Sequence, residues 1–470
     1  MTDVLFTEFR FLVFFAAVLF VYWSLRSNSH RKTFLLLASY VFYGSWDWRF
    51  VAMLFLLSAG DYLFARRIDA SENPSTRRAY VIASITMNLG VLGVFKYCNF
   101  FIDSAVSLAD ALGASLSRPA LQIVLPVGIS FFTFQSLSYT LDVYRRQLEP
   151  AHNLRDYLFV ASFFPQLVAG PITRPAFFLP QLVDIRTVRA DEVRWFLVMF
   201  LIGYLKKSGI ADNIAPFVDR VFENSSAFDA AASLTATWLY AVQIYCDFSG
   251  YSDMAIAAAG LMGYRLVQNF DAPYLSTSIQ DFWRRWHISL STWIRDYIYL
   301  SLGGRSRHRL VTYRNLLVTM LAGGLWHGAA WTFVAWGGLH GCALIADRET
   351  KRWLPADRGS ALRQCTGWFL TINFVCLAWI LFRAPSFATA LTMIERYLML
   401  DAGGPGSLPS WLTVLPPALL LIQYAARRWR WAEKAALLDE RGFAFAYGAA
   451  WAFIVALLPL AHRPFIYFQF

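Results

Sequence analysis

NLLVTMLAGGLWHGAAWTFVAWGGLHG, residues 315–341, is apolar from Leu316 to Trp336 apart from its threonines and one imidazole, His327. A run of that length without a carboxylate or basic side chain reads as membrane-buried helix. His327 stands 11 residues into it, about 16 Å along a helix and close to the middle of a hydrocarbon layer of about 30 Å. Ionisable groups at such depth cost roughly 2.5 to 3.5 kcal/mol on insertion scales, so they turn toward the protein interior and are functional candidates. Glycines at 323, 324 and 328 remove bulk around the ring, which leaves room for a substrate or for a closely packed helix. A buried histidine is more often structural than catalytic, but the depth, the small neighbours and the flanking Trp326 and Trp331 favour function here.

The rest of the chain carries the same signature. Of its 470 residues 57% are hydrophobic and only 16% charged, against roughly half and a quarter in soluble proteins. Apolar runs centre near Leu36, Phe55, Ile85, Ile129, Leu201, Leu239, Ala257, Leu325, Phe374, Leu419 and Ala452, with short charged loops between them. We expect an all-α polytopic integral membrane protein, a single domain over residues 1–470, with about 10 to 12 transmembrane helices plus re-entrant and amphipathic pieces.

The net charge of +11 comes from 42 Lys and Arg against 31 Asp and Glu. Because the basic residues sit between apolar runs, they meet lipid headgroups and set topology, and nucleic acid is not the expected partner. Five cysteines without a CxxC pair point to packing, not to a disulfide framework or a zinc site. The first apolar run, Phe11 to Leu25, follows a lead with Asp3 and Glu8 instead of a basic cluster, so we read a retained span and not a cleaved signal. Arg26, Arg31 and Lys32 follow that span, and Arg66, Arg67, Arg77 and Arg78 follow the third. The positive-inside rule then places the N-terminus outside the cytoplasm.

Two stretches depart from plain spans. LFVASFFPQLVAGPITRPAFFLP, residues 158–180, holds four prolines and Gly170 within an apolar run, and we expect a broken or re-entrant segment shielded by protein. GGPGSLPS, residues 403–410, lies between apolar runs and reads as a loop.

Polar residues concentrate between Gln243 and His340. QIYCDFSGYSDMA places Asp247, Ser249, Tyr251, Ser252 and Asp253 between two apolar runs, and the plain reading is a polar turn between helices. DFWRRWHISLSTWIRDYIYLSLGG, from Asp281 to Gly304, reads as one amphipathic helix. Arg284, His287, Ser291 and Arg295 share one side, and Phe282, Trp286, Leu290, Trp293 and Tyr297 the other. An interfacial helix explains the arginines and the aromatics, but not a histidine among them. The chain has no GxxxxGK[ST], HExxH or GxSxG string, so ATP hydrolysis, zinc proteolysis and α/β-hydrolase chemistry lack support.

FFPQLVAGPI (163–172), QIYCDFSGYSDMAIA (243–257), NFDAPY (269–274), FWRRWHISLSTWIRDYIY (282–299) and GGLWHGAAW (323–331) together resemble the membrane-bound O-acyltransferases, most closely the bacterial alginate O-acetyltransferase branch. The resemblance covers chiefly residues 160–345. It implies a ring of helices around a substrate tunnel in the bacterial inner membrane. It also implies acyl transfer from a cytosolic thioester, acetyl-coenzyme A, toward hydroxyls of an extracytoplasmic polysaccharide, with a periplasmic hydrolase-like acetyltransferase as partner. The family's signature histidine corresponds to His327 and its second histidine region to His287, and these are the candidate catalytic residues. Candidate substrate-binding residues are Asp247, Ser249, Asp253, Arg284, Arg285, Trp326 and Trp331.

The chemistry agrees. A hydroxyl attacking a thioester must lose its proton near neutral pH, and a neutral imidazole suits that role. A thioester is already activated, so no bound cofactor or metal is expected. His287, Arg284 or a backbone donor could stabilise the oxyanion, or Arg284 and Arg285 could hold coenzyme A phosphates. The alternative class is a multi-span transporter or proton-coupled glycan exporter, for which intramembrane Asp, His and Arg are also typical. It predicts interrupted helices in two related halves, whereas the polar motifs cluster in one region.

Overall fold

The computed structural model describes residues 6–114, 116–117, 121, 123–353, 360–459 and 463–466. Asp3, in the acidic lead before the first span, lies outside the described residues. Among those described the chain is helical, and β pairing is confined to two isolated bridges, Phe228 with Gly406 and Asp229 with Gly403. The all-α expectation holds.

Burial is patterned for lipid. Phe20, Leu37, Val41, Leu56, Leu63, Leu370, Leu421 and Phe445 are exposed, while Asp61, Ser84, Asn88 and Thr140 are fully buried. Among the described residues two helical stretches, Pro74–Ala111 and Ala361–Arg383, have both the length and the hydropathy to cross a membrane. Others of spanning length, such as Asn28–Asp47 and Arg49–Ala70, carry polar groups that are satisfied inside. The Asp61 carboxylate accepts from Ser84 Oγ at 2.6 Å and from Asn88 Nδ2 at 2.9 Å, as hydrocarbon surroundings demand. Helix Phe9–Ser24 matches the first apolar run.

The chain divides into two compact units, Met1–Arg189 with Ala255–Val267, and Ala190–Met254 with Gln268–Phe470. In the first, the proline-rich segment is broken as expected. Helix Leu154–Ser162 gives way to a single turn, Phe164–Leu167, then to extended chain and a second turn, Pro175–Phe178. Every residue from 157 to 173 is buried, so this irregular backbone is shielded by protein. Several of its polar groups find partners: Ser39 Oγ accepts from Phe164 N at 3.1 Å, and Val160 O accepts from the side chains of Gln135 (3.0 Å) and Gln166 (2.7 Å). A Cβ at Gly170 would sit 2.5 Å from Gln166 Cα, which explains a glycine there.

In the second unit the helix Ala230–Leu261, whose last turns belong to the first unit, runs unbroken through QIYCDFSGYSDMA. This corrects the reading of a polar turn. The polar side chains do not end the helix because lysines meet them within the protein: Lys207 Nζ lies 2.6 Å from Asp247 Oδ1, and Lys206 Nζ lies 2.7 Å from Asp253 Oδ2. Loop 403–410 is a loop as expected, pinned by Gly404 N donating to Phe228 O at 2.9 Å and by Asp229 N donating to Gly406 O at 2.8 Å.

The stretch quoted at the outset folds as two antiparallel helices, Arg309–His327 and Trp331–Trp353. A Cβ at Gly324 would press on Phe333 O and lie 3.2 Å from Gly337 Cα, and one at Gly337 would press on Met320 O. The glycines therefore serve backbone-to-backbone packing of the two helices. Gly324→Ala should lower stability by about 1–3 kcal/mol through overpacking, read as a lower melting temperature in detergent. An alanine variant that melts with the wild type would mean that this contact yields without cost.

Candidate active site

His327 is the last residue of its helix, with Gly328 extended behind it. The sequence reading placed it within a straight apolar run. The structure places it at the tip of the helical hairpin, because the chain turns back over Gly328 to Ala330 before the second helix starts. The helix from Leu316 up to the tip spans about 16 Å, and it is not among the stretches both long and apolar enough to cross a membrane. The ring is 3% exposed. It meets Trp326, Trp336 and Phe382 edge to face, at centroid distances of 5.0, 5.0 and 5.1 Å.

His287 required the larger correction. The expected single helix is split into Ile279–Arg285 and Ile288–Ile294, followed by a π-helical turn, Arg295–Tyr299. At the break His287 has φ 42°, a left-handed conformation that non-glycine residues adopt only when held. Asn269 holds it. Its main-chain oxygen accepts from Ile288 N at 2.9 Å, and its Oδ1 accepts from Ser289 N (3.2 Å) and Ser289 Oγ (2.9 Å) and lies 3.1 Å from His287 Nδ1. Asn269 Nδ2 donates to Ser252 Oγ at 3.1 Å, on the long helix. The split turns His287 away from the arginine face into the interior, where it is fully buried against Phe248 at 4.6 Å and Trp326 at 5.7 Å. The anomaly of a histidine among interfacial arginines disappears, since it is not among them.

Trp326 thus touches both imidazoles and joins the two candidate catalytic residues in one aromatic cluster. Arg284 is exposed. Arg285 pairs with Asp281 at 3.0 Å and lies 3.8 Å from Asp271. Arg284 thus faces outward, where a charged donor could be met, whereas the Arg285 side chain is only 18% exposed and is not presented as expected. Trp331 is 56% exposed. Ser249 is buried on the long helix. Asp247 and Asp253 are occupied by Lys207 and Lys206. Asp247 also accepts from Ile466 N at 2.9 Å, while Lys207 donates to Asp212 at 2.6 Å and to Arg463 O at 3.2 Å. Phe465 of that C-terminal segment lies 5.6 Å from Phe248, the ring that packs against His287.

Two residues escaped the sequence reading. Asn269 opens NFDAPY, a string noted as a motif without a role for its first residue. His340 lies in GGLHG, which echoes the GLWHG around His327. It is fully buried, 4.7 Å from Trp336 between ring centroids, and its Nδ1 accepts from Trp283 Nε1 at 3.3 Å.

Removal of the Asn269 side chain leaves the His287 break without its acceptor. Asn269→Ala should cost roughly 1–3 kcal/mol of stability and reduce acyl transfer roughly ten- to hundredfold by misplacing His287. Turnover and melting temperature are measured together, and wild-type turnover per folded molecule would show that the setting of His287 does not matter.

A helical membrane protein with two buried imidazoles in one aromatic cluster, one at a glycine-packed hairpin tip, has the makings of an acyl-transfer enzyme, and comparison with known proteins agrees. Residues 84–388 match the model of MBOAT, the membrane-bound O-acyltransferase family. The chain is 41% identical over 394 residues to the probable alginate O-acetylase AlgI of Pseudomonas aeruginosa, covering 82% of this chain and 73% of that protein. It is 34% identical over 398 residues to a peptidoglycan O-acetyltransferase of Helicobacter pylori, covering 79% and 74%. Similarity to the teichoic acid D-alanyltransferase of Bacillus subtilis is lower, 27% over 315 residues, with 62% of this chain and 79% of that protein covered. The chain belongs to the membrane-bound O-acyltransferase family, and it is an O-acyltransferase rather than the transporter of the alternative reading.

Proposed function

We propose that this protein moves an acetyl group from cytosolic acetyl-coenzyme A toward hydroxyls of an extracytoplasmic polysaccharide of the alginate kind, with a periplasmic acetyltransferase or hydrolase-like protein completing the modification. The observation that carries the reading is His327 at the hairpin tip, sharing Trp326 with His287. The relatives' names support the acceptor class: one is a probable alginate O-acetylase and another a peptidoglycan O-acetyltransferase.

In this reading His327 accepts the proton of the attacking hydroxyl as its oxygen bonds to the thioester carbonyl carbon. The tetrahedral oxyanion is stabilised by a nearby backbone donor, since His287 Nδ1 donates to Asn269 Oδ1 and leaves the Nε2 of a neutral ring without a proton. The carbon–sulfur bond then breaks, and the imidazolium returns its proton to the leaving thiolate. Arg284, exposed on its helix, would receive the donor's phosphates. No metal or resident cofactor takes part.

Purified protein in nanodiscs with labelled acetyl-coenzyme A should cleave the thioester when an acceptor is supplied. No cleavage with any glycan or periplasmic partner added would refute the reading. Acetylation of a full-length polysaccharide at a cellular rate by the chain alone would remove the partner from it.

The orientation belongs to the same proposal: the protein lies in the inner membrane with its N-terminus in the periplasm and Arg26 to Lys32 in the cytoplasm. Ser29 is exposed, so a cysteine there should resist an impermeant thiol reagent in intact cells and react after permeabilisation. Labelling of intact cells would reverse the topology.

A further inference from the structure

One wall of the aromatic cluster contains donors that the mechanism above leaves unused. Trp336 and His340 stand four residues apart on helix Trp331–Trp353 and so share a face. Trp336 touches His327 at 5.0 Å and His340 at 4.7 Å.

The state of His340 follows from its neighbour. An indole nitrogen can only donate, so His340 Nδ1, 3.3 Å from Trp283 Nε1, must be the acceptor. A ring that accepts at Nδ1 is neutral and carries its proton on Nε2. His340 Nε2 is therefore an N–H donor, and Trp336 Nε1 is another. Both are sealed from solvent, and neither has an acceptor among the described residues. A buried donor left unmade costs roughly 1–3 kcal/mol. The two donors stand on one helix face, Trp336 against the candidate base and His340 against Trp336, inside walls made by Trp283, Phe374, Trp379 and Phe382.

The walls define what could satisfy the pair. Two neutral donors among aromatic rings suit a neutral acceptor better than a phosphate, whose desolvation they could not offset. Their place beside His327 puts the acceptor next to the reacting centre.

Resting on the acyl-donor reading above, we infer that Trp336 Nε1 and His340 Nε2 form a binding subsite for a neutral carbonyl oxygen of the acyl donor. That oxygen belongs either to the acyl group itself or to an amide of the pantetheine arm. The subsite is closed without substrate, and the rings swing apart as the donor enters.

The test uses the full-length protein in nanodiscs and two probes that cannot be turned over. S-Acetonyl-coenzyme A carries an acyl-type ketone and the pantetheine amides, whereas S-ethyl-coenzyme A carries the amides alone. Trp336→Phe keeps a ring and removes the N–H. His340→Leu removes the second donor, and His340→Gln keeps both an acceptor for Trp283 and an N–H for the ligand. Loss of one such hydrogen bond corresponds to about a five- to tenfold rise in Kd.

Trp336→Phe and His340→Leu should show that rise with S-acetonyl-coenzyme A, while His340→Gln stays near wild type. A rise with both probes assigns the oxygen to a pantetheine amide, and a rise with S-acetonyl-coenzyme A alone assigns it to the acyl group. Unchanged Kd in Trp336→Phe and His340→Leu, with wild-type melting temperatures, would overturn the inference and leave the donor reading standing. A wild-type protein that binds neither probe would overturn both. Because binding is read without turnover, a packing role alone would lower melting temperature without the dependence on donor retained in His340→Gln.

Discussion

His327→Gln should abolish detectable glycan acylation while the protein still folds, inserts and binds the acyl donor. Glutamine keeps much of the size and polarity of imidazole but cannot take up the hydroxyl proton, and general-base catalysis contributes roughly 10²- to 10⁴-fold. The site supports a clean experiment. His327 ends its helix, so the substitution disturbs no helical turn beyond it, and its ring contacts to Trp326, Trp336 and Phe382 are packing contacts that a glutamine stem partly replaces. Acylation and membrane abundance are measured together. A well-expressed variant keeping about a tenth or more of wild-type turnover, far short of the ~10² loss, would remove His327 from the catalytic role.

Lys207→Met should be the most damaging single change to the fold. The Lys207 ammonium is 2% exposed and lies 2.6 Å from both Asp212 and Asp247, whose side chains are 3% and 4% exposed. Taking away one member of a buried ion cluster strands the others, at about 3–5 kcal/mol, comparable with the whole margin of a marginally stable protein. The expected result is low membrane abundance and a collapsed melting transition. Asp247→Asn added to Lys207→Met removes one stranded charge and should recover part of the loss. A Lys207→Met protein with the wild-type melting temperature would show that the cluster contributes nothing net.

Much of the site was legible beforehand because its signals are local. An imidazole in an apolar run is expensive wherever the run lies, and the strings around His287 and His327 carry the family resemblance without reference to any partner. The expected break in residues 158–180 was equally local, since each proline removes a donor and obstructs the preceding turn. The setting of the histidines was not legible. Helical periodicity put His287 with Arg284 and Arg295, and that reading fails because Asn269, 18 residues earlier, supplies the hydrogen bonds that hold a left-handed residue at the break. Nor could periodicity show that Asp247 sits mid-helix, because the lysine that makes this tolerable lies 40 residues away in sequence.

By itself, then, the sequence determined that the chain is a helical membrane protein, which family it belongs to and which two imidazoles are its candidate catalytic residues. These follow from the cost of placing polar groups in hydrocarbon and from runs of residues read one after another. Only the tertiary structure decided that His327 caps a hairpin, that His287 faces inward, that Asp247 is held by Lys207 and that His340 joins the cluster. Each of these depends on hydrogen bonds, ion pairs and ring contacts between segments far apart in the chain. Such contacts form only when packing brings the segments within a few ångströms, and no local pattern of hydrophobicity encodes the partner.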